Sequence, residues 1–176
     1  MNPWTLLTEL EVEVQREELR PFAKAHLGAG LRRAGVTTEF TLAGAVACWR
    51  QHQPEHASPC LAMIWTNPTF SGTENLECLA ELSGSKSLPM PFQFIASQPH
   101  MAAVYANPFL PGLAHATLLV HADADVETTL LPGLSHRQPW THILLGEVWT
   151  PHPLQADPDR LQARWRLLER AVVASC

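Results

Sequence analysis

Hydrophobic and acidic residues alternate from residue 8 to 14, with Leu10, Val12 and Val14 set against Glu9, Glu11 and Glu13. A period of two gives a strand one apolar and one charged face, so this segment predicts a strand at the edge of a sheet with one face wet. From Glu17 to Arg33 the residues Leu19, Phe22, Ala23, His26, Leu27 and Leu31 recur at helical spacing, and Gly35 is placed to stop that helix. A second helix is predicted over Thr41–Gln51. The apolar runs Leu61–Trp65, Leu118–Val120 and Thr141–Trp149 each predict a strand of the sheet interior.

Ser71, followed three residues later by Glu74, has the form of a capping box, with Leu76, Leu79 and Leu82 as the buried face of the helix it starts and Gly84 as its end. Phe92–Ala106 predicts an alanine-rich apolar helix that Pro99 breaks or kinks. A short helix is expected from Asp125 to Leu134, ended by Gly133. Asp157 and Pro158 form an N-cap and N1 pair, so residues 157–174 predict a C-terminal helix with Leu161, Trp165, Leu168 and Val172 on one face. Arg160, Arg164, Arg166 and Arg170 then form its solvated side. Strands alternating with helices imply an α/β protein in which a sheet is layered with α-helices, and 176 residues suit one domain spanning 1–176.

Composition narrows the function. Twelve basic residues against seventeen acidic ones give a formal charge of -5, and no face concentrates positive charge, so nucleic acid is not an expected partner. The N-terminal residues lack the basic and apolar regions of a secretion signal, and no run approaches the ~18 apolar residues of a membrane span. Cys48, Cys60, Cys78 and Cys176 form no Cys-x-x-Cys pair, which argues for reduced thiols in a cytoplasmic protein without structural zinc. No cofactor is implied.

The densest chemistry lies in Ala114–Asp125, where an apolar strand delivers His121, Asp123 and Asp125 in alternation with alanines. The three side chains share one face if the strand persists; alternatively, Asp123 or Asp125 caps a following helix. Asp123-Ala-Asp125-Val imitates the Asp-x-Asp motif of haloacid-dehalogenase-type phosphotransferases, but that motif opens its domain and needs a later lysine, and no lysine follows Lys86. His52 and His56 are separated by Pro54, and His142 with His152 lacks a third ligand. Ser71-Gly-Thr73, a weak nucleophile candidate, is better explained by capping. No phosphate-cradling glycine loop is present.

Taken in order, several segments from Thr41 to Pro151 resemble the N-terminal half of a β-ketoacyl synthase, in the thiolase-like superfamily. Leu61-Ala-Met-Ile-Trp-Thr-Asn67 is similar to a synthase strand and its turn, and Ser71-Gly-Thr-Glu-Asn-Leu-Glu-Cys-Leu79 to the helix after it. The stretch Leu88 to Ala106 resembles the helix at the centre of that fold, and Leu144-Leu-Gly-Glu-Val-Trp149 a later strand. The resemblance implies a thiolase-like half with a mixed β-sheet. It places Asp123 where the family keeps its nucleophilic cysteine, and a carboxylate cannot accept an acyl group from a thioester in its stead. The assisting histidines belong to a C-terminal half that does not follow here.

The resemblance therefore implies a non-catalytic site at His121, Asp123 and Asp125, and a protein that works by binding. In the family two halves pack around a shared layer of apolar helices, so Phe92, Phe94, Met101, Val104 and Tyr105 become interface candidates for a homodimer or a dedicated hetero-partner. That partner is expected to be a ketosynthase, as for chain-length factors, or a type VI secretion effector complex. Two alternatives remain open: a metal-dependent enzyme using His121, Asp123 and Asp125, with Mg2+ as the candidate ion, and a binder of acyl chains or acyl carrier protein.

Overall fold

The structure, a computed structural model, describes residues 3–28, 31, 34–52, 59–67, 80, 83–84, 98–119, 131, 138–150, 157 and 159–171. β1 (Trp4–Gln15) contains the alternating segment and runs beyond it at both ends. A 3-10 turn, Arg16–Glu18, leads into α1 (Leu19–Leu27), and α2 (Val36–Gln51), β2 (Leu61–Thr66), α3 (Met101–Ala106), β3 (Leu113–Leu119), β4 (His142–Trp149) and β5 (Arg160–Arg170) follow. The five described strands form one sheet in the order β1-β5-β4-β2-β3. β2 runs parallel to both β3 and β4, while β5 is antiparallel to β4 and to β1, which makes the sheet mixed and the fold α/β.

All six residues of β2 are buried because both faces of the sheet are covered there. Leu61, Met63 and Trp65 point into the larger core with α1, α2 and α3, whereas Ala62 and Ile64 join Ile143, Leu145, Leu168, Leu131 and Trp140 on the opposite face. α2 lies across the larger core and is buried from Thr37 to Trp49, as a helix without an amphipathic stripe must be. Trp165 of β5 sets its distance from the sheet. A methyl group added to Gly44 of α2 would lie 2.6 Å from Trp165 Nε1, and one added to Gly146 of β4 would lie 2.5 Å from the same indole. The ring thus occupies space that two glycines leave free.

Three expectations are overturned. The C-terminal segment is a strand, because Leu161, Ala163, Trp165 and Leu167 face the core while Arg160, Gln162, Arg164 and Arg166 alternate with them. That period-two pattern, with a carboxylate-bearing strand to pair with, overrides the capping signal at Asp157. Arg160 binds Glu13, Arg164 binds Glu11 at 3.0 Å and Glu9 at 3.7 Å, and Arg166 binds Glu147 at 2.9 Å. The supposed helix face is therefore the wet face of a sheet. The run ending at Leu119 is also not interior: β3 is the last of the described strands on its side of the sheet, and none of its residues is fully buried. Finally, α1 ends at Leu27, where Gly28 at φ 78 donates its N–H to Lys24 O, and Gly35 precedes α2 instead of closing α1. α2 consequently starts a turn earlier than Thr41.

Other expectations hold. β1 is at the edge, β2 and β4 are interior, and the helix after Pro99 begins only at Met101. Gly112, at φ 76, has no room for a Cβ against the carbonyl of Pro59, and its own carbonyl accepts from Leu61 N at 2.9 Å. This contact starts β2 and β3 level. The capping box at Ser71 and Glu74, the leucines 76, 79 and 82, and all of 125–134 except Leu131 lie outside the described residues.

Burial pushes the Glu39 carboxyl above its ordinary range, with a partial offset from the N–H of Leu31 and from Arg20. An acid whose pKa is raised on folding loses stability as pH climbs through its unfolded value. Glu39→Gln should therefore gain stability over the wild type as pH rises above about 4.5 in urea titrations, and the gain should vanish below that pH. Gly44→Ala and Gly146→Ala should each cost about 1–3 kcal/mol in the same assay, by overpacking against Trp165.

Candidate functional site

In parallel α/β sheets the reactive or binding crevice forms beyond the carboxyl ends of the strands, where successive connections leave in opposite directions. Here that point lies between β2 and β4, since β3 flanks β2 on the other side. Thr66, Leu119 and Glu147 stand level across β2, β3 and β4. Just beyond, Asn67 and Thr150 are each 2% exposed, and Asn67 Nδ2 donates to Thr150 Oγ1 at 3.5 Å. An amide and a hydroxyl close this crevice with a neutral hydrogen bond. Glu147, the nearest described acid on β4, has its carboxylate engaged by Arg166.

β3 is described up to Leu119, two residues short of His121. His121, Asp123 and Asp125 themselves lie outside the described residues, as do Phe92, Phe94, His56 and His152. Met101 and Tyr105 are partly buried on α3, and Val104 is 64% exposed. His142 is held in the core: its Nδ1 lies 2.9 Å from Thr141 Oγ1, its Nε2 3.7 Å from Glu169, and the Trp49 ring meets it edge-on. Among the described residues, no group of three His, Cys, Asp or Glu side chains is placed to hold a metal ion, and no helix is long and apolar enough to cross a membrane.

Cys48 sits in α2, fully buried. Burial pushes its thiol up to about 12, against a lowering hydrogen bond with the backbone of Leu167. Thioester chemistry needs a thiolate, so Cys48 is a packing residue. Cys60 is only partly buried. The Asn67–Thr150 pair escaped sequence reasoning. Its signal was present, in that each polar residue directly follows an apolar strand run, but the pairing of β2 with β4 is a long-range fact.

Neither protein-family models nor curated proteins match the sequence. Among solved structures the chain is similar to the complex titled ketosynthase (ApeO) with its chain length factor (ApeC) from Xenorhabdus doucetiae, with a TM-score of 0.59 and 15% identity. The likeness covers 96% of this chain and 79% of that one. At this identity it is a likeness of fold alone, a mixed five-stranded sheet layered with helices, consistent with the thiolase-like fold expected from the sequence.

In the native protein Cys48 should resist iodoacetamide at neutral and mildly alkaline pH while Cys60 is alkylated, and unfolding in guanidinium should make the two equally reactive by peptide mass mapping. Rapid native labelling of Cys48 would contradict its burial.

Proposed function

We propose that this protein is a single-domain, non-catalytic, thiolase-like partner of a ketosynthase, acting through protein–protein binding. The observation that carries this reading is the fold match to a chain of a ketosynthase–chain length factor complex. A two-half synthase matched by a single half would leave its second half uncovered, yet 96% of this chain spans 79% of the matched one. Two features of the chain add support. No cysteine lies between Cys78 and Cys176, the stretch where the synthase resemblance locates a nucleophile. The thiol of Cys48 is kept protonated in the core. The matched complex is a ketosynthase assembly, which favours that setting over a secretion effector.

A surface for the partner is available at the β3 edge. No described strand pairs with its outer side, and Leu113 to Leu119 contain neither proline nor a charged residue of the kind that usually protects an edge. α3 packs beside it and exposes Val104. Strand addition there, with Val104 as the adjoining apolar contact, would give the partner both backbone hydrogen bonds and buried area.

Co-expression with ketosynthases of the same organism, followed by size-exclusion chromatography with light scattering, should give a stoichiometric hetero-complex. Intact mass spectrometry after incubation with acyl thioesters should show no added acyl mass on this chain. Val104→Arg, at an exposed site, should weaken the complex about tenfold or more. An acyl adduct on this chain, or the absence of any hetero-complex, would refute the reading.

A further inference from the structure

The two edges of the sheet differ in charge and in surroundings. β3 is short and uncharged, whereas β1 is long and carries Glu9, Glu11 and Glu13 on its wet face, 44%, 70% and 53% exposed. The pairing of β1 with β5 shifts register only between Leu6 and Thr8, and from Thr8 to Gln15 it is unbroken. No described strand occupies the outer side of this regular stretch. Along it runs a groove of about 440 Å³, lined on its apolar side by Leu10, Val12, Val14, Phe22, His26 and Ala47. The Phe22 and His26 rings meet at a tilt of 59°, their centroids 4.8 Å apart, along the α1 wall, and Arg50 also lines the groove. Burial, helped by Arg50, lowers the pKa of His26, so this wall stays uncharged at neutral pH.

A strand edge with an apolar helix wall beside it is the geometry that receives an extended peptide as an added strand. Side chains of such a strand alternate: every second one enters the groove toward Phe22 and Ala47, and the others lie beside the glutamates. The occupant cannot comfortably be a second copy of this edge, because antiparallel self-pairing would set glutamate against glutamate. Each carboxylate already meets an arginine of β5 on one side, but a carboxylate has acceptor capacity for a second donor. We propose that the β1 edge is a docking site for an extended segment of another protein, in which apolar residues alternate with lysine or arginine. This inference is independent of the ketosynthase reading.

The test uses the purified full-length chain and a fluorescein-labelled peptide of about eight residues, alternating valine and lysine, matched to the regular edge. Anisotropy should show binding that weakens with added salt and is at least several-fold tighter than for the valine–glutamate peptide. Glu11→Gln combined with Glu13→Gln, both exposed, should lower affinity for the lysine peptide about three- to tenfold without altering the circular dichroism spectrum. Amide exchange should slow at Thr8–Gln15 when peptide is present. Equal affinity for the two peptides, indifference to the glutamine substitutions, protection at Leu113–Leu119 instead, or no binding at millimolar peptide would each overturn the proposal.

Discussion

The Trp165 indole lies in the space left by Gly44 on one side and Gly146 on the other, and the helix layer depends on that fit. Across the sheet the same row reads Leu118, Trp65, Gly146, Trp165 and Leu10, so a ring too large for its neighbours is accommodated because β4 contributes no side chain at that point. Gly44 then lets α2 settle onto the ring. Interiors packed at crystal density tolerate little change in volume, which makes this three-residue arrangement a constraint on α2, β4 and β5 together. Because α2 is buried along nearly its whole length, its position also governs how α1 and α3 meet the sheet.

With the layers positioned, the polar chemistry of the described chain is consistently structural. Asn67 donates to Thr150 at the crevice between β2 and β4, Glu39 holds Leu31 at the entrance to α2, and His142 is enclosed between Thr141, Glu169 and Trp49. Glu147, which stands at the carboxyl edge where a reactive acid would be useful, is spent on Arg166. The thiol of α2 is likewise buried in the core. At the perimeter of the described sheet, β3 carries no Asp, Glu, Lys or Arg, whereas β1 carries Glu9, Glu11 and Glu13.

The glutamates of β1 illustrate how far local pattern carries. Their alternation with Leu10, Val12 and Val14 made an edge strand legible without any structure, and the unbroken apolar runs of β2 and β4 did the same for the sheet interior. Residues 160–170 show where it stops. Leu161, Trp165 and Leu168 satisfy a helical spacing, and Leu161, Ala163, Trp165 and Leu167 satisfy a strand spacing equally well. Local preference could not choose between them, and the decision came from β1, more than a hundred residues away, where Glu9 and Glu11 stand opposite Arg166 and Arg164 and Glu13 meets Arg160 diagonally. The misplacement of β3 in the interior has a similar cause: an apolar run reports that a strand is covered, not how many neighbours it has.

By itself the sequence determined the α/β class, the strands β1, β2 and β4, the helix that starts just past Pro99, and the resemblance to a thiolase-like half, because each is written in periodicity, in proline and glycine placement, or in the order of short segments. Only the tertiary structure decided that the C-terminal segment is a strand, that β3 forms an edge, and that Trp165 organises the core. Those outcomes depend on pairings between distant segments, whose free energy comes from burial and charge matching that no local window contains.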